Sequence, residues 1–288
     1  MSGKLNNVVA LVTGASRGAG KGIAIALGAE GATVYVTGRS LKEGDAPLPG
    51  TIGHTAELVT QAGGKGIAIA CDHARDRQVS ALFKRIKDEQ DGRLDILVNN
   101  ATFLHDDLIE KGPFFRKSLH LVDILDVGLR SAYVASWHAA KLMARRRSGL
   151  IAFTSSFGGN CYMHGPAYGA QKAGVDRFAH DMAIDLKPYD VTAVSIWMGM
   201  LRTDRTKKVM EEDPSKYQGF WEIAETPEFT GHVLAALYCD DRRMEKSGKV
   251  LIGAELAQEY GITDEGRQPP SHRPMLGGPA PVNPAVVQ

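Results

Sequence analysis

No disulfide framework is available to this chain. Its three cysteines, Cys71, Cys161 and Cys239, are far apart, odd in number and without a C-x-x-C pair. That pattern points to free thiols in a reducing compartment, and a cytoplasmic location is expected. An excess of one charge is also missing, since 34 Lys and Arg balance 33 Asp and Glu for a formal charge of +1. Nucleic-acid binders draw affinity from many cation–phosphate contacts, so no nucleic-acid partner is expected. There is no run of about 18 apolar residues, so no transmembrane helix and no membrane partner are expected. The first residues lack the basic start and unbroken apolar stretch of a signal peptide. The nine histidines form neither an HExxH pair nor a cluster with cysteine, which argues against a metal site. With 43% hydrophobic and 23% charged residues, the chain is not a disordered one.

What is present is an alternation of short apolar runs with longer amphipathic stretches. Strands are expected over 8–14, 32–38, 66–72, 94–100, 150–156, 191–197 and 248–253. Helices are expected near 18–29, 54–62, 75–89, 118–146, 166–187 and 227–240. Strands separated by helices of ten or more residues require right-handed crossovers, hence a parallel sheet. Near-continuous Val, Ile and Leu runs fit strands covered on both faces. The expected fold is therefore α/β, a doubly wound, parallel, seven-stranded Rossmann-type sheet in three layers. Residues 1–265 read as one domain. Residues 266–288 hold six of the thirteen prolines and read as a solvated, disordered tail, with packing across a subunit contact as its alternative. The polar stretch 200–225 reads as a closing lid or a surface loop.

Between the first strand and first helix lies Thr13-Gly14-Ala15-Ser16-Arg17-Gly18-Ala19-Gly20. Gly14 can turn off the strand, Gly18 lets a pyrophosphate approach the backbone, and Gly20 lets the helix pack on the sheet. A dinucleotide is the expected ligand, with Ser16 in the same turn. NAD sites usually place an acid at the end of the second strand to hold the ribose 2′-hydroxyl. Here Gly38 stands there, followed by Arg39, and Arg17 lies inside the glycine turn. Two guanidiniums can grip a 2′-phosphate, so the expected cofactor is NADP(H).

Tyr168 and Lys172 are four apart at the start of a helix and share a face. Ser155 ends the fifth strand at the carboxyl edge of the sheet, where ligands of such folds bind, with Ser156 as its neighbour. Reducing a carbonyl needs a proton on oxygen as well as a hydride on carbon. A free phenol, with a pKa near 10, is a poor donor near neutrality, and a neighbouring ammonium would lower it. A serine hydroxyl can hold the substrate oxygen.

The T-G-x3-G-x-G spacing, Asn99-Asn100-Ala101 after the fourth strand and the Tyr168/Lys172 pair resemble the short-chain dehydrogenase/reductase family. The resemblance implies Ser155, Tyr168 and Lys172 as the catalytic set. Ser155 is preferred over Ser156 because it precedes Tyr168 by thirteen residues and Gly158 by three. It also implies cofactor contacts at Asn99, Ala101, Asp72, Tyr168, Lys172, Gly199 and Thr203, beside Gly14, Ser16, Arg17, Gly18, Gly20 and Arg39. Thr102 replaces the usual Gly of the Asn-Asn motif. Gly128 stands where the family commonly has an Asn, and its exposed carbonyl could hold a water. "DVGLRSAY", "LVTGASRGAGKGIA" and "SGKVLIGAELAQEYGITDEGR" resemble the dehydrogenase/reductase family member 1 group, which implies NADPH-dependent reduction of carbonyl compounds. The expected partner is a bulky, apolar carbonyl or alcohol substrate, lined by Phe103, Phe157, Tyr162, Met163, Trp197 and Met200. The family also implies a homodimer or homotetramer through 118–146 and 166–187. Two other readings compete: an NADP(H)-binding sensor with little turnover, favoured by Gly128, and a sugar dehydratase or epimerase, disfavoured by the short C-terminal segment.

Overall fold

The computed structural model describes residues 3–215, 217 and 219–287. The chain runs β1 (Val9–Val12), α1 (Gly18–Ala29), β2 (Thr33–Gly38), α2 (Ile52–Gln61), β3 (Lys65–Ala70), α3 (Asp76–Glu89) and β4 (Ile96–Asn99). It continues through α4 (Ser131–Arg146), β5 (Gly149–Ser155), α5 (Pro166–Leu186), β6 (Val191–Trp197), α6 (Asp204–Glu212), α7 (Phe220–Ile223), α8 (Phe229–Cys239), β7 (Val250–Ile252), α9 (Gly253–Glu259) and α10 (Arg273–Leu276). The seven strands form one sheet in the order β3-β2-β1-β4-β5-β6-β7. Every pairing in it is parallel. This is the expected Rossmann-type sheet.

Strand residues alternate between two apolar layers. Ala10, Val12, Val34, Ile96 and Val194 face α1, α2 and α8. Val9, Leu11, Leu97, Ile151 and Ala193 face α3, α4 and α5. Both faces of the central strands are therefore closed to water, which is why those strands are dominated by apolar residues. The order reverses between β1 and β4, so the loops after β1, β4, β5 and β6 converge on one carboxyl-edge crevice.

Two expectations fail, for the long helix and for the tail. The helix expected over 118–146 is broken: Leu119–Val122 is a 3-10 turn and Leu125–Arg130 a wide turn, with α4 starting only at Ser131. The break comes from Val127 (φ −104°, ψ 83°) and Gly128 (φ +151°), a conformation that favours glycine. Residues 200–225, expected as a closing lid or a surface loop, hold two short helices, α6 and α7.

The tail is ordered through Gly278 instead of solvated, and it packs on its own chain. Arg273 clasps Glu255 with two bonds of 2.7 and 2.6 Å, and Gln268 donates to the Ala254 carbonyl at 3.0 Å. Leu276 packs against the Phe157/Trp197/Ile252 cluster, and Asn160 donates to the Gly278 carbonyl at 2.7 Å. Specific partners thus outweigh the proline-rich composition. Residues 281–287 are exposed. Among the described residues no helix is long and apolar enough to cross a membrane.

Candidate active site

The glycine turn is fastened from the neighbouring strand. Asn100 Nδ2 donates to the Thr13 and Gly14 carbonyls at 2.9 and 3.0 Å, and the Asn100 and Ala101 amides donate to Thr13 Oγ1 at 2.9 and 3.0 Å. Gly14 has φ +64°, and a Cβ on it would fall 2.6 Å from Ala101 Cα. Gly18 has φ +56°, and its nearest would-be contact is Thr203 Cγ2 at 3.8 Å, so the backbone there is open. Gly18 and Thr203 therefore face each other across the crevice. The α1 N-terminus has no side-chain cap, and its first amides are free to meet an anion. This open cradle with uncapped amides fits a dinucleotide pyrophosphate.

The remaining expected contacts sort differently. Asn99 is turned away, donating to Ser136 Oγ on α4 at 2.9 Å, so it braces the sheet. Ser16 is buried beneath the turn beside Gly38. Asp72 Oδ1 accepts from the Ala74 amide at 3.1 Å, just past the end of β3. Arg17 does not project freely. It donates to Ser40 Oγ at 2.9 Å and to the Pro49 and Gly50 carbonyls at 3.0 and 2.9 Å, fastening the 41–51 loop. Burial lowers its pKa, and Arg39 lies close enough to lower it further. Arg39 itself is exposed at the end of β2. Thr203 caps α6, accepting from the Thr206 amide at 3.2 Å. The Gly199 amide donates to Glu225 Oε1 at 3.1 Å.

Across the crevice, α5 begins at Pro166 and carries Tyr168 and Lys172 on one face. The tyrosine hydroxyl lies 2.9 Å from Ser156 Oγ, which also accepts from the Gly158 amide at 3.2 Å. Ser155 is not the serine that meets Tyr168. It is fully buried at the end of β5, with Oγ 3.4 Å from the Lys172 carbonyl. Gly158 is required by the tyrosine ring, because a Cβ there would fall 2.6 Å from Tyr168 Cε1. His164 meets the same ring edge-on at 5.0 Å. The Lys172 ammonium donates to the Thr154 carbonyl at 3.2 Å and lies 5.4 Å from the Tyr168 ring centroid.

Burial dominates the electrostatics. It pushes the Tyr168 phenol above its ordinary value, opposed by the Ser156 hydrogen bond, so the expected depression by Lys172 does not appear. It pulls Lys172 down to about 8, with Asp176 opposing.

The substrate lining also changes. Phe157 and Trp197 are fully buried against each other, centroids 5.0 Å apart, and belong to the core. Tyr162 is exposed. Phe103 and Met200 are half-buried at the carboxyl edge, and Met163 packs beside the Phe157 cluster. The Gly128 carbonyl is not open to water as expected, because Gln171 Nε2 donates to it at 3.0 Å. Two buried groups escaped sequence reading: Asp176, one turn beyond Lys172, and Glu225, beneath Gly199.

Residues 8–214 match the family model for short chain dehydrogenase. The chain is 38% identical to mouse (Mus musculus) Dehydrogenase/reductase SDR family member 1 over 92% of its length and 85% of that protein. The human (Homo sapiens) counterpart is 37% identical over 93% of this chain and 87% of that protein. A 3-oxoacyl-[acyl-carrier-protein] reductase of Synechocystis is 32% identical over 85% of this chain and 97% of that one. Among solved structures, one described as a short-chain alcohol dehydrogenase from Sinorhizobium meliloti superposes with a TM-score of 0.73 at 27% identity, covering 86% of this chain and 95% of that one. The chain belongs to the short-chain dehydrogenase/reductase family, a family of oxidoreductases that use nicotinamide cofactors. Within it, the chain resembles the member 1 group.

Proposed function

We propose that the protein is an NADPH-dependent reductase of ketones or aldehydes, or an alcohol dehydrogenase in reverse, acting on a bulky, weakly polar substrate. The observation that carries this reading is the 2.9 Å contact between Ser156 Oγ and Tyr168 OH, one helical turn from the Lys172 ammonium and across the crevice from the glycine turn. When bound, the nicotinamide supplies the hydride. Ser156 holds the carbonyl oxygen through its hydroxyl, and Tyr168 delivers its phenolic proton to that oxygen. A phenol held above its ordinary range stays protonated at neutral pH, which is the donating form. Lys172 stabilises the phenolate left behind until solvent reprotonates it. Ser156 therefore takes the role first expected of Ser155.

Arg39 is the cation assigned to the 2′-phosphate, with no carboxylate at Gly38 to repel it. Arg17 anchors the neighbouring loop and lends its charge at short range. Exposed Tyr133 and Trp137 on α4 and Ile184 on α5 support assembly into a homodimer or homotetramer, which small-angle scattering would test. The activity test is NADPH consumption over a panel of ketones, quinones and steroids, with Tyr168→Phe in parallel. Turnover lost in the Phe variant supports the reductase. Tight cofactor binding with no turnover across the panel favours the sensor reading.

A further inference from the structure

Tyr168, Lys172 and Asp176 stand at i, i+4 and i+8 on α5, so one stripe of the helix carries a phenol, an ammonium and a carboxylate inward. Asp176 is held by three donors on two strands. Ser195 Oγ on β6 donates to its Oδ1 at 2.5 Å, and Trp197 Nε1, also on β6, donates to its Oδ2 at 2.8 Å. The Ser155 hydroxyl at the end of β5 lies beside it and helps keep it charged. Gly159, just past the serine turn, has no room for a side chain because a Cβ there would collide with Asp176 Oδ2. Burial raises the Asp176 pKa, and since every partner donates and none accepts, the hydrogen bonds oppose that rise and favour the carboxylate form. This half-buried carboxylate has three neutral donors, and the cation one turn away is Lys172.

We propose that Asp176 is a positioning residue of the active site, supplying the buried negative charge that keeps the Lys172 ammonium protonated while tying the serine turn to β6. The purpose of that charge rests on the reductase reading. The charge relation itself does not.

The other groups near Lys172 leave the role to Asp176. On α5 the remaining titratable neighbour is Tyr168. Thr154 and Ser155 on β5, and Ser195 and Trp197 on β6, are neutral. From the loop after β5, Cys161 and His164 face Tyr168 instead. From the turn before α4, Asp126 acts on Arg130, which is bound to Asp76 at 2.6 Å. Among the described residues, Asp176 is the one charge that acts on Lys172. Without it, burial is opposed only by the hydrogen bond to the Thr154 carbonyl, and buried lysines are known to lose their proton well below neutral pH.

The test is Asp176→Asn, which keeps the shape and removes the charge. Lysine labelled at Cε with carbon-13, with the Lys172 signal identified by its loss in Lys172→Arg, reports the lysine titration by NMR with no substrate present. The Lys172 midpoint is expected to fall by about one pH unit or more, a tenfold shift in its proton affinity. Ser195→Ala, which deletes only the 2.5 Å donor, is expected to move it the same way by less, and covers the case in which the Asn variant does not fold. An unchanged Lys172 titration in a folded variant overturns the proposal, whether or not any ketone is ever reduced. In the active enzyme, Asp176→Asn is expected to lose about fivefold or more in kcat near pH 8 and to approach wild type near pH 6, where Lys172 is protonated again. A loss of equal size at every pH would mean a purely structural residue and would also overturn it.

Discussion

Glu225→Gln should make the protein more stable, and more so as the pH rises. Glu225 sits between α7 and α8, where its amide donates to the Met200 carbonyl at 2.7 Å and its own carbonyl accepts from the Arg202 amide at 2.8 Å. The side chain is buried. Oε1 accepts from the Gly199 amide, while Oε2 has no partner. A Cβ on Gly199 would fall 2.6 Å from Glu225 Oε1 and 3.2 Å from His272 Nε2, so the carboxyl and the imidazole converge on this turn. Burial, reinforced by the Asp264 carboxylate, pushes Glu225 up to about 8 from an ordinary 4.5. The native state therefore keeps a proton that the unfolded chain releases. Stability from this group is whole below pH 4.5, falls through the window from 4.5 to about 8, and is flat above it. That gap, at ~1.4 kcal/mol for each pH unit, amounts to ~5 kcal/mol at pH 8.5. Glutamine reproduces the neutral acid in shape, keeps the acceptor for Gly199 and leaves one buried atom unpartnered, as the acid does. The two proteins should agree within ~1 kcal/mol at pH 5. At pH 8.5 the variant should melt higher by about 6–10 °C, at ~2 °C per kcal/mol for a chain of this size. Thermal melts at a fixed scan rate from pH 5 to 9 would decide it. A constant offset between the two curves, with no divergence across that window, would refute the buried-proton argument.

Arg39→Ala should raise KM for NADPH by about 10- to 100-fold, the worth of a charge-assisted contact to a dianion, and leave KM for NADH within about twofold. Equal losses for both cofactors would remove Arg39 from the 2′-phosphate. Ser156→Ala should lower kcat by about 10²–10³-fold, as loss of a donor to a developing oxyanion does. Ser155→Ala should leave most of the activity, and the reverse pattern would restore Ser155 as the substrate-facing serine. Gly128→Ala places a Cβ 3.2 Å from both Thr102 Oγ1 and Gln171 Cγ at φ +151°. Urea unfolding should show a loss of about 1–3 kcal/mol, and an unchanged midpoint would mean the turn before α4 relaxes freely.

The fold was legible because its signals are local. Strands such as Val191–Trp197 are buried on both faces, so their sequence is mostly apolar, with Thr192 and Ser195 as exceptions, and their limits agree with the expected 191–197. The first helix, Gly18–Ala29, likewise follows from the glycines that precede it. The long helix before β5 was misread because its interruption lies in the backbone angles of two adjacent residues. Val127 and Gly128 fit a helical apolar pattern, and the non-helical angles at these two residues break the ladder.

The site was harder to read because a strand end is decided by a single residue. Successive residues of a strand point to opposite faces, so a one-residue choice reverses the outcome. Counting thirteen back from Tyr168 selects Ser155, whose hydroxyl turns into the body of the protein toward Lys172 and Asp176. Ser156, one step on, has left the strand and reaches the tyrosine. Asp176 was missed for a related reason. A charge on an amphipathic helix reads as a solvated face, and what makes this one internal is a pair of donors 19 and 21 residues away on β6. The tail follows the same logic, since composition predicts disorder while Glu255, Ala254 and Asn160 supply partners that composition does not contain. In each case the deciding term is a hydrogen bond between distant residues. Such bonds cost little to miss in assigning a fold, but in a buried site each decides which form of a titratable group is present.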